Sequence, residues 1–321
     1  MSRGVRGRFA PSPTGALHLG NARTALLGWL HARTAGGPFV MRVEDLDRGR
    51  VRTGVMETQL AELRWLGLDW DEGPDIGGGY GPYLQSERED RYRVALETLA
   101  AAGLLYACGC SRREIAAAAS APHAGDEGPR YPGTCMARAC TADALPGGGV
   151  ALRFRVPPEP VRFEDDVQGA QCFAPARECG DFVVRRRDGV AAYQLAVTVD
   201  DAAMGITHVV RGADLLPSTA RQLLLYRALG LEAPAWLHVP LLLDGEGERF
   251  AKRRAGTTLA SLRDAGVSPR RIVGWLTSTC GLSAPDECLA PAELLPRFSV
   301  AVLPRDDTRS ASVPARLPHD A

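Results

Sequence analysis

Lysine is almost missing. Of the 38 basic side chains in this 321-residue chain, 37 are arginine and one, Lys252, is lysine. Where arginine has replaced lysine wherever either serves, a surviving lysine marks a place that needs a compact, mobile ammonium rather than a planar guanidinium. By spacing alone, chance survival on a surface loop is an equal reading. Lys252 follows Ala251, which excludes the Gly-Lys-Ser/Thr of a Walker A loop. Apolar runs long enough to span a bilayer are lacking, and residues 1–9 have no apolar core of a signal peptide. The expectation is a cytoplasmic protein with no membrane contact. Excess charge of either sign is lacking too, since 38 acidic groups balance the basic ones. No global field draws nucleic acid, so RNA contact needs local patches such as residues 185–187, 253–254 or 270–271.

What is present is an apolar fraction of 45% and a charged fraction of 24%, the composition of a globular chain with room for two or so domains. The organising stretch is residues 8–21, RFAPSPTGALHLGN. Its prolines and Thr-Gly pair make a loop between a short apolar lead-in and a helical run, with Ala22, Ala25, Leu26, Trp29 and Leu30 on one face. The start of that helix offers unpaired N–H groups and the positive end of its dipole, beside His18, Gly20 and Asn21, so an anion is expected there. Gly20 removes a side chain where a flat ligand could approach, and His18 adds a donor.

Further on, a strand over 38–43 leads to Glu44-Asp45, and a helix over 55–66 stops at Gly67. A capping box at 86–89 opens a helix that ends at Gly103. This β-α-β-α-α order is half of a doubly wound α/β fold with a parallel sheet. Residues 106–149 are rich in Cys, Gly, Pro and Ala, with a short helix candidate at 112–119, and read as an insertion. A strand follows over 151–156, then strands 182–186 and 190–197 around an Asp188-Gly189 turn. A strand at 208–211, a helix at 218–229 and a strand at 240–243 return the chain to the sheet. Lys252 sits in a polar loop, and Ser268-Pro269 starts a last helix over 270–277. The pattern fades from about Pro285. The expected division is 1–105 and 181–240 for the two halves of a nucleotide-binding body, with 106–180 inserted between them. Residues 241–284 form a loop and short helical appendage, and 285–321 a poorly structured tail.

Eight grouped cysteines favour thiols or metal ligands over disulfides. By spacing, Cys108, Cys110, Cys135 and Cys140 make a four-thiolate zinc set, with buried free thiols as the competing reading.

Several collinear strings resemble the glutamyl branch of class I aminoacyl-tRNA synthetases. They are RFAPSPTG leading into His18-Leu-Gly-Asn21, RVEDLD at 42–47, GLDWDEGP at 67–74, YLQSER at 83–88, the run 192–216 and HVPLLLD at 238–244. The loop at 249–253 resembles the second class signature and puts the family's catalytic lysine on Lys252; Arg249 and Ala251 depart from it. The resemblance implies a class I catalytic domain with His18 and Lys252 catalytic and His18, Gly20, Asn21 and Lys252 at ATP and its Mg2+. It places glutamate at Arg8, Phe9, Ala10, Pro11, Ser12, Glu44, Tyr193 and Arg211, with Arg8 and Arg211 each offering a bidentate fork. A shortened branch of this family carries Cys-x-Cys and Tyr-x3-Cys zinc ligands, which fall here on Cys108, Cys110, Tyr131 and Cys135, with Cys140 the competing fourth ligand. With about seventy residues after Lys252, no second tRNA-reading body is expected. The implied activity is then ATP-dependent activation of L-glutamate and its transfer to queuosine in the anticodon arm of tRNA(Asp), by a monomer. The alternatives are a minimal enzyme charging the 3′ end of tRNA(Glu), a non-catalytic zinc-containing tRNA-binding protein and, more weakly, a generic nucleotidylyltransferase.

Overall fold

The computed structural model describes residues 4–111, 113–115, 130–138, 140, 149–243, 258–305 and 311–312. Lys252, with Arg249, Ala251 and Arg253-Arg254, lies outside them, as does most of the 112–119 helix candidate. Strand β1 (Gly7–Phe9) runs through the signature loop into helix α1 (Leu19–Thr34) and on to β2 (Phe39–Met41), which pairs parallel with β1. The apolar face expected of α1 is widened on every side. Leu19, Leu27, Gly28 and Ala32 are buried along with the five residues read from the spacing, as befits a helix packed between a sheet and further helices. Gly28 lies close to Phe39 and Val210, and the far side of α1 meets the C-terminal helices. Helix α2 (Val55–Trp65) stops at Gly67, where φ is 95°.

Helix α3 (Glu89–Ala101) ends at Gly103 as expected, but its start differs from the sequence reading. Ser86 does not cap it. The Ser86 hydroxyl and N–H both donate to the Asp45 carboxylate, at 2.5 and 2.8 Å, and a 3-10 turn over Gln85–Glu87 precedes the helix.

In the inserted region β3 (Leu105–Cys108), β4 (Ala151–Phe154) and β7 (Val183–Arg185) form an antiparallel sheet. Strands β5 (Val161–Asp165) and β6 (Gly169–Phe173) form a hairpin, followed by the single turn α4 (Pro175–Glu178). Asp188-Gly189 does turn the chain, since Arg186 and Val190 are joined by a backbone bond. No second strand runs over 190–197, however. The chain enters α5 (Tyr193–Ala203), because Leu195, Ala196 and Val199 pack at helical spacing and Asp200 and Asp201 are held by arginines. Tertiary packing overrides the strand preference of the valines.

Strand β8 (His208–Gly212), helix α6 (Leu216–Ala228) and β9 (Ala235–Val239) repeat the first unit, with β8 and β9 parallel. Thr207 and His208 N–H groups donate to the Arg6 carbonyl, so the two parallel pairs lie side by side with β1 next to β8. From that seam one crossover leads out to β2 and the other to β9. The strand expected at 240–243 is reduced to β10 (Leu242–Leu243), paired with residues 311–312. Helix α7 (Leu259–Asp264) carries a Thr258–Ser261 capping box, and α8 (Pro269–Ser278) is capped by Ser268 as expected.

Residues 285–303 are not the unstructured start of a tail. They form 3-10 turns at Pro291–Leu294 and Val300–Val302, and Leu289, Leu294, Phe298 and Leu303 are buried in the same core as α1. Their apolar residues are spaced too widely for a helix or strand pattern, so the periodicity is absent although the burial is real. No helix among the described residues is long and apolar enough to cross a membrane.

Candidate active site

A cleft of about 480 Å³ opens where the carboxyl ends of β1 and β8 meet, the place where α/β sheets hold ligands. Phe9, Ala10 and Ser12 line one wall, Gly20 and Asn21 from the start of α1 the next, and Glu44, Tyr193 and Arg211 close it. Arg8 reaches in from β1. Of the described residues expected to contact ATP or glutamate, only Pro11 and His18 are absent from this lining. Pro11 is buried behind it, its carbonyl accepting the Glu44 N–H at 2.9 Å. His18 is half-buried at the N-cap of α1, and its Nδ1 is buried without a hydrogen-bond partner among the described residues. It pairs through its backbone with Thr258. Leu242 lines the cleft and Thr258 pairs with His18, so the described residues on either side of 244–257 both lie beside the site.

A buried ion network stands beneath the cleft. Arg42, fully buried, donates to Asp201 at 2.6 Å and to Glu44 at 3.3 Å. Arg8 Nε donates to the same Asp201 oxygen at 3.3 Å. Asp200 accepts from Arg88 at 2.6 Å, Gln85 at 2.7 Å and Tyr92 at 2.8 Å. Burial pushes the Asp201 carboxyl up, but Arg42 and Arg8 outweigh it and hold it below the usual carboxylate range. Glu44 goes the other way: burial raises it more than Arg42 and Arg8 lower it, a carboxylate that gains from a further cation. Arg42, Asp200 and Asp201 were missed as site residues by sequence reading. Their signal was available, since the strings at 42–47, 83–88 and 192–216 each contribute members to this one network.

The two clamp arginines differ. Arg8 uses Nε on Asp201 and one NH1 hydrogen on the Val210 carbonyl, which leaves a fork. Arg211 is almost fully committed: Nε donates to His238 at 3.0 Å, NH1 to Gln222 at 3.0 Å, and NH2 to Thr219 at 2.7 Å and the Leu215 carbonyl at 3.4 Å. One N–H remains, so the bidentate grip expected of Arg211 is corrected to a single charge-assisted bond. All four acceptors are neutral groups or, for His238, a histidine that burial lowers to about 4. Arg211 is 4% exposed, a buried cation on the cleft wall with no carboxylate among its hydrogen-bond partners. Arg23 is a third buried arginine on the wall, and sequence reading missed it. It donates to the Thr279 hydroxyl at 3.2 Å and to the Pro240 carbonyl. Gly20 has nothing within 4 Å of where a Cβ would stand, so cleft space rather than packing explains the glycine.

In the insertion, the thiols of Cys108, Cys110 and Cys135 lie within 4.8 Å of one another. The Tyr131 hydroxyl oxygen accepts from the Cys108 thiol at 3.5 Å and from the Cys135 N–H at 2.9 Å. Cys140 is not in this group and packs against a different core. Burial raises the Cys108 thiol, but hydrogen bonding with Tyr131 and Arg153 brings it down to about 7. Burial and the neighbouring thiols push Cys110 up to about 11.

A family model for the catalytic domain of class I tRNA synthetases (E and Q) matches residues 4–303. The chain is 57% identical over 310 residues to the glutamyl-Q tRNA(Asp) synthetase of Symbiobacterium thermophilum, covering 94% of this chain and 95% of that protein. It is 50% identical over 317 residues to that of Nitratidesulfovibrio vulgaris, covering 98% and 97%. Among solved structures, a glutamate tRNA ligase from Elizabethkingia meningosepticum in complex with its amino acid superposes with a TM-score of 0.81 at 29% identity. The match covers 95% of this chain and 66% of that one, so the chain spans about two thirds of that ligase. The chain therefore belongs to the class I tRNA synthetases of the glutamyl and glutaminyl type, in the group of the glutamyl-Q tRNA(Asp) synthetases.

Proposed function

We propose that the chain activates L-glutamate with ATP and transfers it to queuosine in the anticodon arm of tRNA(Asp), in the cytoplasm. The observation that carries the chemistry is one cleft holding three buried arginines, a buried carboxylate and a helix start. A glutamate carboxylate oxygen attacks the α-phosphorus of ATP and pyrophosphate leaves. A queuosine hydroxyl then attacks the acyl carbon, loses its proton, and AMP leaves. No enzyme nucleophile is required, so the work is positioning and neutralising charge. Arg8 grips a glutamate carboxylate with its free fork and Arg211 adds one directed N–H. Glu44, held by Arg42, takes the α-ammonium, and the Tyr193 hydroxyl donates across the opening. Gly20, Asn21 and the start of α1 face the nucleotide phosphates, and Mg2+ accompanies ATP. His18 and Lys252 neutralise the α-phosphoryl group and the leaving pyrophosphate. The chain is read as acting as a monomer.

The three thiols and the Tyr131 oxygen are the donor set of a structural zinc ion, to which thiolates are suited. Zinc supplies a cross-link that fixes the insertion and takes no part in acyl transfer. Metal analysis tests the ligand set: Cys135→Ser and Tyr131→Phe lose zinc, and Cys140→Ser keeps it.

The activity is tested by incubating the protein with ATP, labelled glutamate and tRNA(Asp) with or without queuosine, with tRNA(Glu) alongside, and mapping the label by nuclease fragmentation. Label is expected in the anticodon fragment of queuosine-containing tRNA(Asp) alone. Label at the 3′ end of tRNA(Glu) would replace this reading by a minimal charging enzyme. Loss of glutamate-dependent pyrophosphate exchange in Lys252→Ala would exclude a binding-only protein.

A further inference from the structure

Behind Arg211 lies a pair of side chains that are not themselves part of the cleft lining. His238 on β9 and Asp165 at the end of β5 are both fully buried, and their Nδ1 and Oδ2 are 2.5 Å apart. The other ring nitrogen, Nε2, is 3.0 Å from Arg211 Nε and 3.2 Å from the Thr219 hydroxyl, whose oxygen already accepts from Arg211 and whose proton can be donated to the ring. Arginine can only donate, so Nε2 has to present a lone pair, and the ring proton has to sit on Nδ1. Asp165 enforces this, because an ionised carboxylate only accepts. Burial lowers His238 to about 4, so the ring is neutral, with one proton to place. Burial raises the Asp165 carboxyl, but His238 and the backbone N–H groups outweigh it and keep it low.

We propose that Asp165 and His238 are positioning residues that set glutamate affinity, by fixing the histidine tautomer that aims the single uncommitted N–H of Arg211 into the cleft. The proposal rests on the reading of Arg211 as a glutamate clamp. The hairpin that carries Asp165 is built for the task. Asp165 Oδ1 accepts from the N–H groups of Val167 (3.0 Å), Gln168 (2.8 Å) and His238 (3.2 Å), which leaves Oδ2 for the imidazole. Gln168 Nε2 returns a bond to the His238 carbonyl at 2.8 Å. The β5–β6 hairpin is thus tied through two hydrogen bonds to one guanidinium on the cleft wall.

The arrangement makes an isosteric substitution informative. In Asp165→Asn the side-chain oxygen is retained by three backbone donors, so the new amide N–H faces His238 Nδ1. The ring proton moves to Nε2, where it opposes Arg211 Nε–H. In His238→Gln the amide oxygen can still accept from Arg211 while its NH2 donates to Asp165.

Pyrophosphate exchange on the full chain separates the outcomes. Asp165→Asn is expected to raise KM for glutamate at least tenfold with KM for ATP within twofold, and 15N NMR is expected to show His238 as the Nε2–H tautomer. His238→Gln is expected to stay within about threefold of the parent, and His238→Leu to follow Asp165→Asn. A folded Asp165→Asn with unchanged glutamate KM, or with glutamate and ATP KM rising together, overturns the proposal. Should Asp165→Asn fail to fold, the histidine pair decides: equal glutamate KM in His238→Gln and His238→Leu overturns it, and rescue by Gln alone supports it. Arg211→Lys is the separate control, since an unchanged glutamate KM there would remove the clamp itself.

Discussion

Gly20 shows how one residue can serve a ligand at a cost to its own helix. It is the second residue of α1, and an added Cβ would meet no protein atom. Glycine in a helix is worth roughly 0.5–1 kcal/mol less than alanine. Gly20→Ala is therefore expected to leave the fold intact, raise the urea midpoint slightly, and raise KM for ATP by at least tenfold. Equal ATP KM in the two proteins would mean that the nucleotide does not approach this turn. The signature loop around it is held by Gln59 of α2, whose amide donates to the carbonyls of Ser12 (3.1 Å) and Gly15 (2.7 Å). At this scale the sequence was highly legible: nine of the expected ligand-contacting residues, including Gly20, line the one cleft. What was not legible was orientation. Arg8 and Arg211 look alike in a string, and only their partners show that one has a fork to offer and the other a single N–H.

Elements are joined by what the strings share. Asp200 lies on α5, but its three partners Gln85, Arg88 and Tyr92 come from the turn before α3 and from α3 itself. Asp200→Ala leaves Arg88 as a buried charge with no carboxylate partner shown, a loss of about 3–5 kcal/mol by comparable pairs, measured as a fall in urea midpoint. The elements legible in the sequence were those with local punctuation: α2 stopped by Gly67, α8 capped by Ser268, β8 as a short apolar run. The β5–β6 hairpin escaped because its turn is made by the Asp165 side chain binding Val167 and Gln168 N–H groups, not by an Asn-Gly or Asp-Gly pair. Strand β9 escaped because its apolar run was assigned to the residues just after it. Residues 285–303 escaped because they dock on α8 by close backbone approach rather than by periodic side chains. A Cβ on Gly274 would overlap the Glu287 carbonyl oxygen, and Leu289 N–H donates to the Arg270 carbonyl at 3.0 Å. Gly274→Ala is expected to cost about 1–3 kcal/mol through overpacking and to increase proteolysis after residue 285. Parental stability in that variant would show that the stretch is not docked there.

The whole molecule is held against acid by histidines kept neutral. His31 on α1 packs on His208 of β8, ring centroids 5.1 Å apart, and on Phe298 of the C-terminal stretch at 6.4 Å. It therefore sits where the two halves of the body and the 285–303 segment meet. Burial, with the charge of His208 adding to it, lowers His31 to about 4, and burial lowers His238 to the same value against the pull of Asp165. An unfolded chain protonates both near pH 6.5. Between about 6.5 and 4 the unfolded state thus binds protons that the native state refuses. The stability from each neutral ring is complete above that window and lost as pH falls through it. The limiting slope is about 1.4 kcal/mol per pH unit per histidine, or on the order of 2–3 kcal/mol each across the window. Asp165 and Asp201, whose native values are held low, keep their contributions throughout it and lose them only at lower pH. Urea midpoints measured from pH 8 to 4.5 should be level above 7 and fall steadily below 6.5. His31→Phe, which fills the same apolar site without a titrating group, should remove part of that fall and leave the parts due to His238 and His208. A parental curve that stays level down to pH 4.5 would show that neither ring is held neutral, and an unchanged fall in His31→Phe would assign the acid sensitivity to His238 and His208, which burial also lowers.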